Sequence, residues 1–221
     1  METRTPRTYQ NLPAVIAEEL REAILSGELG DGEKLKQEEI AGRFGSSLIP
    51  VREALRSLES EGLVTFYTNR GAFVSALSLQ RVRDIFETRI FIETGALRLS
   101  VPHLLPGDLK KAQEAVDRLD RAETGRELGY YNRLFHSILY SRCGNQYLLD
   151  LIDSLHRNVE RYMRRYLVDH YNNDLSQDTH RRILTAIRAG EGAEACAHLE
   201  RHMATAMEGL LRALQYDGRE G

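Results

Sequence analysis

The sequence contains little cysteine and no long apolar run. Cys143 and Cys196 are its only cysteines, and each stands alone in a helical pattern. Two isolated thiols do not form a disulfide framework, which favours idle thiols in a reducing compartment over a redox role. No apolar stretch approaches the roughly 18–20 residues that a membrane span needs. Because Met1–Gln10 also lacks the apolar core of a signal peptide, we expect a cytoplasmic protein without a membrane contact.

A strong basic excess is absent as well, since the formal net charge is −3 at pH 7. A wholly basic domain would indicate a nucleic-acid partner directly, whereas here any contact with DNA has to come from a local patch. Glycine and proline are not enriched, and no low-complexity segment interrupts an ordinary globular composition. The length of 221 residues is sufficient for two small domains.

The N-terminal third has a regular order of elements. Hydrophobic periodicity, glycine breaks and a turn before Gly71 predict three helices followed by a β-hairpin. The predicted helices are residues 12–26, 37–44 and 47–60, and the predicted strands are residues 63–67 and 72–74. Helix, short helix, tight turn, helix and hairpin is the order of a winged helix-turn-helix.

The third predicted helix carries charges that could contact DNA. Val51, Leu55 and Leu58 recur at core spacing. Arg52 and Arg56 therefore lie on a different face, from which guanidinium groups can reach base edges or phosphates in a major groove. The alternative is a solvated face on which both arginines pair with nearby glutamates. Further candidate DNA contacts lie near the turn, the helix start and the hairpin tip: Arg43, Ser46, Ser47, Leu48, Arg70 and Gly71.

From Ser78 onward the pattern is helical to the end, with breaks that indicate about six helices. We therefore predict a mainly α protein with an N-terminal winged helix-turn-helix and a C-terminal all-helical bundle. The predicted parts are a flexible arm at residues 1–10, a DNA-binding domain at 11–77, and a ligand-binding and dimerisation domain at 78–221.

Several polar side chains of the C-terminal part are candidate metal ligands. Asn132 and His136 are four residues apart on one helix, so both point to the same side. His180 opens a later helix and His202 lies near the end of the next one, so all four could converge in a bundle core. Three imidazoles and an amide oxygen suit Zn²⁺, Ni²⁺ or a similar ion. His198 and His202 are also four residues apart, so this pair on one helix is a competing choice of ligands.

The remaining histidines, and each candidate taken alone, have a simpler interpretation. A histidine on a helix is more often a surface or hydrogen-bonded residue than a metal ligand. His103, His156 and His170 are expected to be solvent or loop residues.

The N-terminal residues resemble the DNA-binding domain of GntR-family regulators. The similarity is carried by residues 24–29, 39–41 and 50–64, and Asn69–Val74 resembles the wing of the family. It implies binding to a palindromic double-stranded operator as a homodimer. One segment departs from the family, because Ser47-Leu48-Ile49-Pro50 stands where Ser-Arg-Thr-Pro is usual. The missing arginine is a common base or phosphate contact, so we expect an operator that differs from the usual sequence.

The C-terminal residues, from about Leu79 to Leu214, resemble the FCD ligand-binding domain. Asn132–His136 is similar to the Asp-x-x-Phe-His signature, and His180 and His202 match the two later histidines. The resemblance implies an all-helical bundle with a divalent metal, Zn²⁺ in the first place, and a small organic-acid effector. Asn132 replaces the aspartate of the family, so we expect weaker metal binding or an effector oxygen that makes good the deficit.

Arg89 is a candidate counter-charge for that effector. With Glu93 it forms the Arg-x-x-x-Glu pattern at the start of the resembling segment. A structural ion pair between the two residues is the alternative, because they stand at helical i, i+4 spacing.

We therefore predict a ligand-responsive transcription regulator and not an enzyme. The alternatives are a metal-free sensor of acyl-coenzyme A thioesters, a helical metalloenzyme with an accessory DNA-binding domain, and a DNA-binding dimer without a ligand. The three matched histidines argue against the metal-free sensor. No general base at a motif position, nucleophile elbow, phosphate loop or cofactor fingerprint supports the enzyme.

Overall fold

The computed structural model describes residues 11–76, 78–170 and 175–217. Its internal contacts divide the chain into two units, Met1–Ala76 and Leu77–Gly221. The flexible arm predicted at residues 1–10 lies outside the described residues.

The described part of the N-terminal unit has the predicted order of helices and hairpin. Its elements are α1 (Leu12–Ser26), β1 (Lys34–Leu35), α2 (Gln37–Arg43), α3 (Leu48–Ser60), β2 (Val64–Tyr67) and β3 (Gly71–Val74). The strand β1 was not predicted, because two residues are too short to show a period. It pairs antiparallel with β3, which also pairs with β2, so the strand order is β1-β3-β2. The winged helix-turn-helix is confirmed.

Local chemistry explains the ends of these elements. Pro13 lies in the first turn of α1, where its missing N–H is not needed. Gly27 ends α1 at a φ of 83°, a left-handed conformation that glycine adopts without strain. Asn69 and Gly71, with φ of 59° and 97°, form the tip of the hairpin between β2 and β3. These turns fix where α3 and the hairpin stand in the unit.

The described part of the C-terminal unit contains six α-helices, as the sequence predicts. They are α4 (Leu79–Ser100), α5 (Pro106–Leu119), α6 (Gly125–Tyr140), α7 (Gln146–His170), α8 (Leu175–Arg188) and α9 (Gly192–Asp217), with a 3₁₀ turn at Val101–His103. A capping box starts α6: the Thr124 hydroxyl accepts from the Glu127 N–H, and the Glu127 carboxylate accepts from the Thr124 N–H. Among the described helices, none combines the length and apolar character of a membrane span.

The largest core of this unit contains residues from all six helices, α6, α8 and α9 among them. Phe135 and Leu139 of α6, Ile183 of α8 and Leu199 of α9 are wholly buried in one cluster. Burial of such side chains is the main favourable contribution to folding. His136, which follows Phe135 on α6, is also buried inside the bundle.

Candidate DNA-binding surface and histidine cluster

The helix α3 has one buried and one exposed face. Val51, Leu55 and Leu58 are fully buried against the N-terminal core, and Arg52 and Arg56 are exposed, as the spacing predicts. This division leaves a polar helix face free to meet another molecule.

The two arginines of this face have different partners. Arg52 Nε donates to Gln37 Oε1 at 3.0 Å, which links α3 to α2. Arg56 Nη1 donates to Glu59 Oε2 at 2.6 Å, and its guanidinium carbon lies 4.3 Å from the centre of the Phe66 ring. The ion pair considered for Arg56 from the sequence is therefore present. Such exposed pairs contribute only about 0–1 kcal/mol, so a phosphate could replace the glutamate.

The start of α3 has no side-chain cap. Ser47 occupies the N-cap position, but its hydroxyl accepts no capping hydrogen bond, and the Ser46 hydroxyl donates to the Ser47 carbonyl at 3.1 Å. Leu48, a candidate DNA contact, is half-buried and packs against the core. The next residue, Ile49, is 68% exposed. Ile49 is not among the DNA contacts predicted from the sequence. Its position, an apolar residue at helical spacing from Arg52 and Arg56, could have identified it.

The hairpin tip and α2 carry the other basic candidates. Arg70 is exposed, with its guanidinium carbon 5.7 Å from the Tyr67 ring centre and 5.6 Å from the Phe73 ring centre. Gly71 follows it at the start of β3. Arg43 is exposed at the end of α2 and donates to Glu19 at 3.2 Å. These side chains stay accessible, and their proposed contact with DNA rests on that accessibility.

Three histidines from three helices meet inside the C-terminal unit. One ring nitrogen of each of His136 (α6), His180 (α8) and His202 (α9) lies within 4.8 Å of the other two. The ring centres are 5.6 Å apart for His136 and His180, 5.3 Å for His136 and His202, and 4.4 Å for His180 and His202. His136 and His180 are buried and His202 is partly buried. We call these three residues the histidine cluster.

Burial within the histidine cluster leaves polar atoms without hydrogen bonds. Both ring nitrogens of His180 are buried and have no hydrogen-bond partner among the described residues. Leaving a buried polar atom unpaired costs about 1–3 kcal/mol, so such atoms normally have a partner such as a water molecule or an ion. A metal ion held by the cluster would bind the His180 ring nitrogen that carries the lone pair. The donor set therefore fits a divalent transition metal.

Asn132 and His198 differ in how they relate to the histidine cluster. Asn132 lies one turn before His136 on α6 and is half-buried. His198 lies away from it, where its Nε2 is 3.2 Å from Glu194 and its Nδ1 is 3.0 Å from Arg201. The geometry therefore favours His202 over His198 as a ligand.

A buried polar network lies beside the histidine cluster. Arg89 Nε donates to Glu93 Oε1 at 2.7 Å, and the Tyr140 hydroxyl donates to Glu93 Oε2 at 2.7 Å. The same hydroxyl is 3.3 Å from His136 Nδ1. The ion pair between Arg89 and Glu93, considered from the sequence, is thus present. The network connects the counter-charge candidate Arg89 to a member of the cluster.

His156 belongs to this network, which corrects one expectation. The sequence suggested a solvent or loop residue, but His156 is buried on α7, and its Nε2 lies 3.1 Å from both Arg89 Nη2 and Glu93 Oε1. No local pattern predicts a partner for it, because its neighbours in space are more than sixty positions away in the chain. His103 is exposed, as expected.

Burial shifts the protonation of these groups. Burial, together with the neighbouring His202, lowers the pKa of His136 and of His180 well below the usual value. Burial and then Arg89 lower the pKa of His202 to about 4. Although burial acts to raise it, the pKa of Glu93 stays well below its usual range because of Arg89 and His156. The three imidazoles are therefore neutral at neutral pH, with lone pairs available for a metal.

Comparison with protein-family models finds two matches. Residues 12–74 match the model described as bacterial regulatory proteins, gntR family, and residues 84–205 match the FCD domain. The first match contains α1 to β3, and the second contains the histidine cluster.

Individual proteins give similar results. The chain is 26% identical over 208 residues to the HTH-type transcriptional repressor GlaR of Escherichia coli (strain K12), covering 88% of this chain and 94% of that protein. A crystal structure of a GntR family member from Pseudomonas syringae pv. tomato str. DC3000 has a TM-score of 0.61 at 34% identity, with 95% and 89% of the two chains covered. Escherichia coli McbR/YncC has a TM-score of 0.75 at 24% identity, covering 93% and 98%, which shows a similar fold.

Proposed function

Since the chain belongs to the GntR family of bacterial transcription regulators and carries an FCD domain, we propose that a metal-assisted pocket for a small organic acid controls its binding to operator DNA. The protein acts in the cytoplasm as a homodimer on a palindromic operator, and it is not an enzyme. The relatives support regulation of transcription, the exposed arginines of α3 support a contact with DNA, and the histidine cluster supports the metal pocket.

The observation that carries the pocket is His180. Its two ring nitrogens are buried without a hydrogen bond to the described residues, and one of them lies within 4.8 Å of a ring nitrogen of His136 and of His202. A divalent ion, Zn²⁺ in the first place and Ni²⁺ or a similar ion otherwise, would be held by these three residues. Such an ion supplies a Lewis acid that attracts a carboxylate oxygen.

Two further residues complete the proposed pocket. The amide oxygen of Asn132 is a weaker donor than a carboxylate, which leaves more of the coordination to the effector. Arg89 provides a buried positive charge in the network next to His136, although it already pairs with Glu93. An acidic effector would compete with Glu93 for this guanidinium.

The effector changes DNA affinity only if it binds two states of the dimer differently. We propose that one of these states presents both α3 helices at the half-site spacing of the operator. Half-site spacing is geometrically strict, so a small change in the dimer is sufficient to weaken binding.

Metal analysis of the purified protein tests the pocket. After reconstitution with Zn²⁺ or Ni²⁺ and gel filtration, we expect one ion per chain in the wild type and in His198→Ala, the matched control on α9. His180→Ala and His202→Ala should lose the ion, and circular dichroism of each variant checks that it folds. Full metal content in both folded variants, or none in the wild type, would contradict the pocket.

Operator binding then tests the effector. The metal-loaded protein is titrated with small mono- and dicarboxylic acids while fluorescence anisotropy follows its affinity for a selected operator. We expect at least one acid to change that affinity, and to have no effect on chelator-treated protein. A response to acyl-coenzyme A thioesters without metal would favour the metal-free sensor instead, and metal-dependent turnover of a carboxylate would favour the enzyme.

A further inference from the structure

The exposed face of α3 contains one apolar side chain among charged ones. Ile49, Arg52, Glu53 and Arg56 follow each other at helical spacing, and all four are exposed. Ile49 is 68% exposed, more than any other large hydrophobic residue of the described N-terminal unit. Its neighbour Leu48 packs against the core, so Ile49 is the apolar group that this face presents to a partner.

The position of Ile49 matters more than its exposure. Single exposed apolar residues are normal on protein surfaces and need no explanation by themselves. Ile49, however, lies in the first turn of the second helix of the helix-turn-helix. In this motif the first residues of that helix contact base edges in the major groove. An apolar side chain there must meet a chemical group of the base pairs.

The major groove contains one apolar group that a protein can recognise. Guanine, adenine and cytosine present nitrogen and oxygen donors or acceptors, whereas thymine adds its 5-methyl group. An isoleucine pressed against a polar base edge would remove water from that edge without replacing the hydrogen bonds. Against a thymine methyl, the same side chain buries apolar surface on both partners.

We infer that Ile49 recognises a thymine methyl group in each half-site of the operator. This assignment rests on the operator binding proposed above. Arg52 follows three residues later, about 4.5 Å along the helix axis, and can donate two hydrogen bonds to a guanine. Base pairs are about 3.4 Å apart, so the half-site combines this thymine with a guanine one or two steps away.

Replacing thymine by deoxyuridine removes only the methyl group and tests the inference directly. The operator is first selected by the full-length protein from a random double-stranded library. Each thymine of the selected half-site is then replaced in turn. At one position we expect about fourfold weaker binding for each half-site changed, the effect of one buried methyl. Changing both half-sites should weaken binding about fifteenfold.

Variants assign the effect to one side chain. With Ile49→Ala, the thymine and deoxyuridine operators should bind equally well. Val15→Ala is the matched control, because Val15 is another exposed apolar residue, 46% accessible, on α1. The Val15→Ala variant should lose as much affinity as the wild type when thymine is replaced by deoxyuridine. Arg52→Ala should weaken binding to both operators alike and leave their ratio unchanged.

Two results would overturn the assignment, and they are distinguishable. If sequences are selected but no deoxyuridine replacement matters, or if Ile49→Ala keeps the effect, the Ile49 assignment fails while operator binding stands. If no sequence is enriched above background, operator binding fails and the assignment fails with it.

Discussion

Tyr140 has a single hydroxyl proton and two buried partners. Its short bond to Glu93 Oε2, 2.7 Å, uses this proton, because a carboxylate can only accept. The longer contact to His136, 3.3 Å, must then be a bond from His136 Nδ1–H to the tyrosine oxygen. His136 consequently keeps the lone pair on Nε2, the second ring nitrogen. Tyr140 and Glu93 therefore select the tautomer of His136 that a metal on Nε2 requires.

Removing the Tyr140 hydroxyl should weaken metal binding. We expect Tyr140→Phe to lower the affinity for Zn²⁺ by about 10–100-fold, the usual effect of losing a partner behind a ligand. Competition with a chromophoric chelator measures it. Tyr130→Phe, an exposed tyrosine on the same helix, is the control and should bind like the wild type. Equal affinities for the two variants would rule out a role for Tyr140 in selecting the tautomer.

The histidine cluster also predicts how stability depends on pH. An unfolded histidine takes up a proton near pH 6.5, whereas the folded pKa of His202 is about 4 and those of His136 and His180 are also lowered. Between these values the unfolded chain binds more protons, so the metal-free protein loses stability as the pH falls from 6.5 towards 4. Urea denaturation at several pH values measures this loss. His202→Gln should reduce the dependence, and a flat profile in the wild type would contradict it.

At the scale of elements, α3 and the wing are suited to contact DNA in different ways. Arg52 is hydrogen-bonded to Gln37 of α2 and lies on the exposed face that we propose meets base edges. Arg70 stands at the exposed hairpin tip near two aromatic rings, and we propose that it contacts the phosphate backbone. Base contacts give sequence specificity, whereas phosphate contacts give affinity for any sequence.

The two arginine variants should separate these contributions. Arg52→Ala should cost about 1–3 kcal/mol on the selected operator and relax its specificity at one position. Arg70→Ala should weaken binding to all sequences. It should also reduce the slope of log affinity against log salt concentration by about one, because one phosphate contact is lost. Anisotropy titrations at several salt concentrations measure both, with the exposed Lys110→Ala as the control. If both variants had the same effect on operator and scrambled DNA, this division of roles would be wrong.

The helices and strands also show how much of the structure could be predicted from the sequence. Helices such as α3 were predictable, because their apolar residues repeat with a helical period and glycines end them. The strand β1 was not, since its partner β3 lies far away in the sequence. For the cluster, spacing alone left the His198–His202 pair as a competing choice of ligands, and family resemblance favoured His202 together with His136 and His180. His156 was missed because its contacts depend on how α7 packs against α4, which no local pattern encodes.

At the scale of the whole molecule, the two units differ in what a metal would do to them. The histidine cluster lies within the C-terminal unit, and its three members come from three separate helices. A ligand that binds only the folded state stabilises that state. The proposed ion would therefore connect α6, α8 and α9, in addition to its role in the pocket.

Metal binding should raise the melting temperature. At an ion concentration 100 times the dissociation constant, the gain is about 2.7 kcal/mol. For a domain of this size we expect a shift of about 5–10 °C. Differential scanning calorimetry with Zn²⁺ and with a chelator measures it. His202→Ala should show no shift, and an equal shift in that variant would place the ion elsewhere.

The neutral amide of Asn132 affects the charge balance of the proposed metal site. In the proposed metal-bound state, the three imidazoles and Asn132 are neutral donors, and Glu93 already balances Arg89. Two positive charges then remain uncompensated in an interior of low dielectric constant, where isolated charge is unfavourable. The counter-ion has to arrive with the effector, so a compact dianion would balance the interior better than a single carboxylate. In the proposed pocket, the negative charge that an aspartate at this position would supply has to come from the ligand.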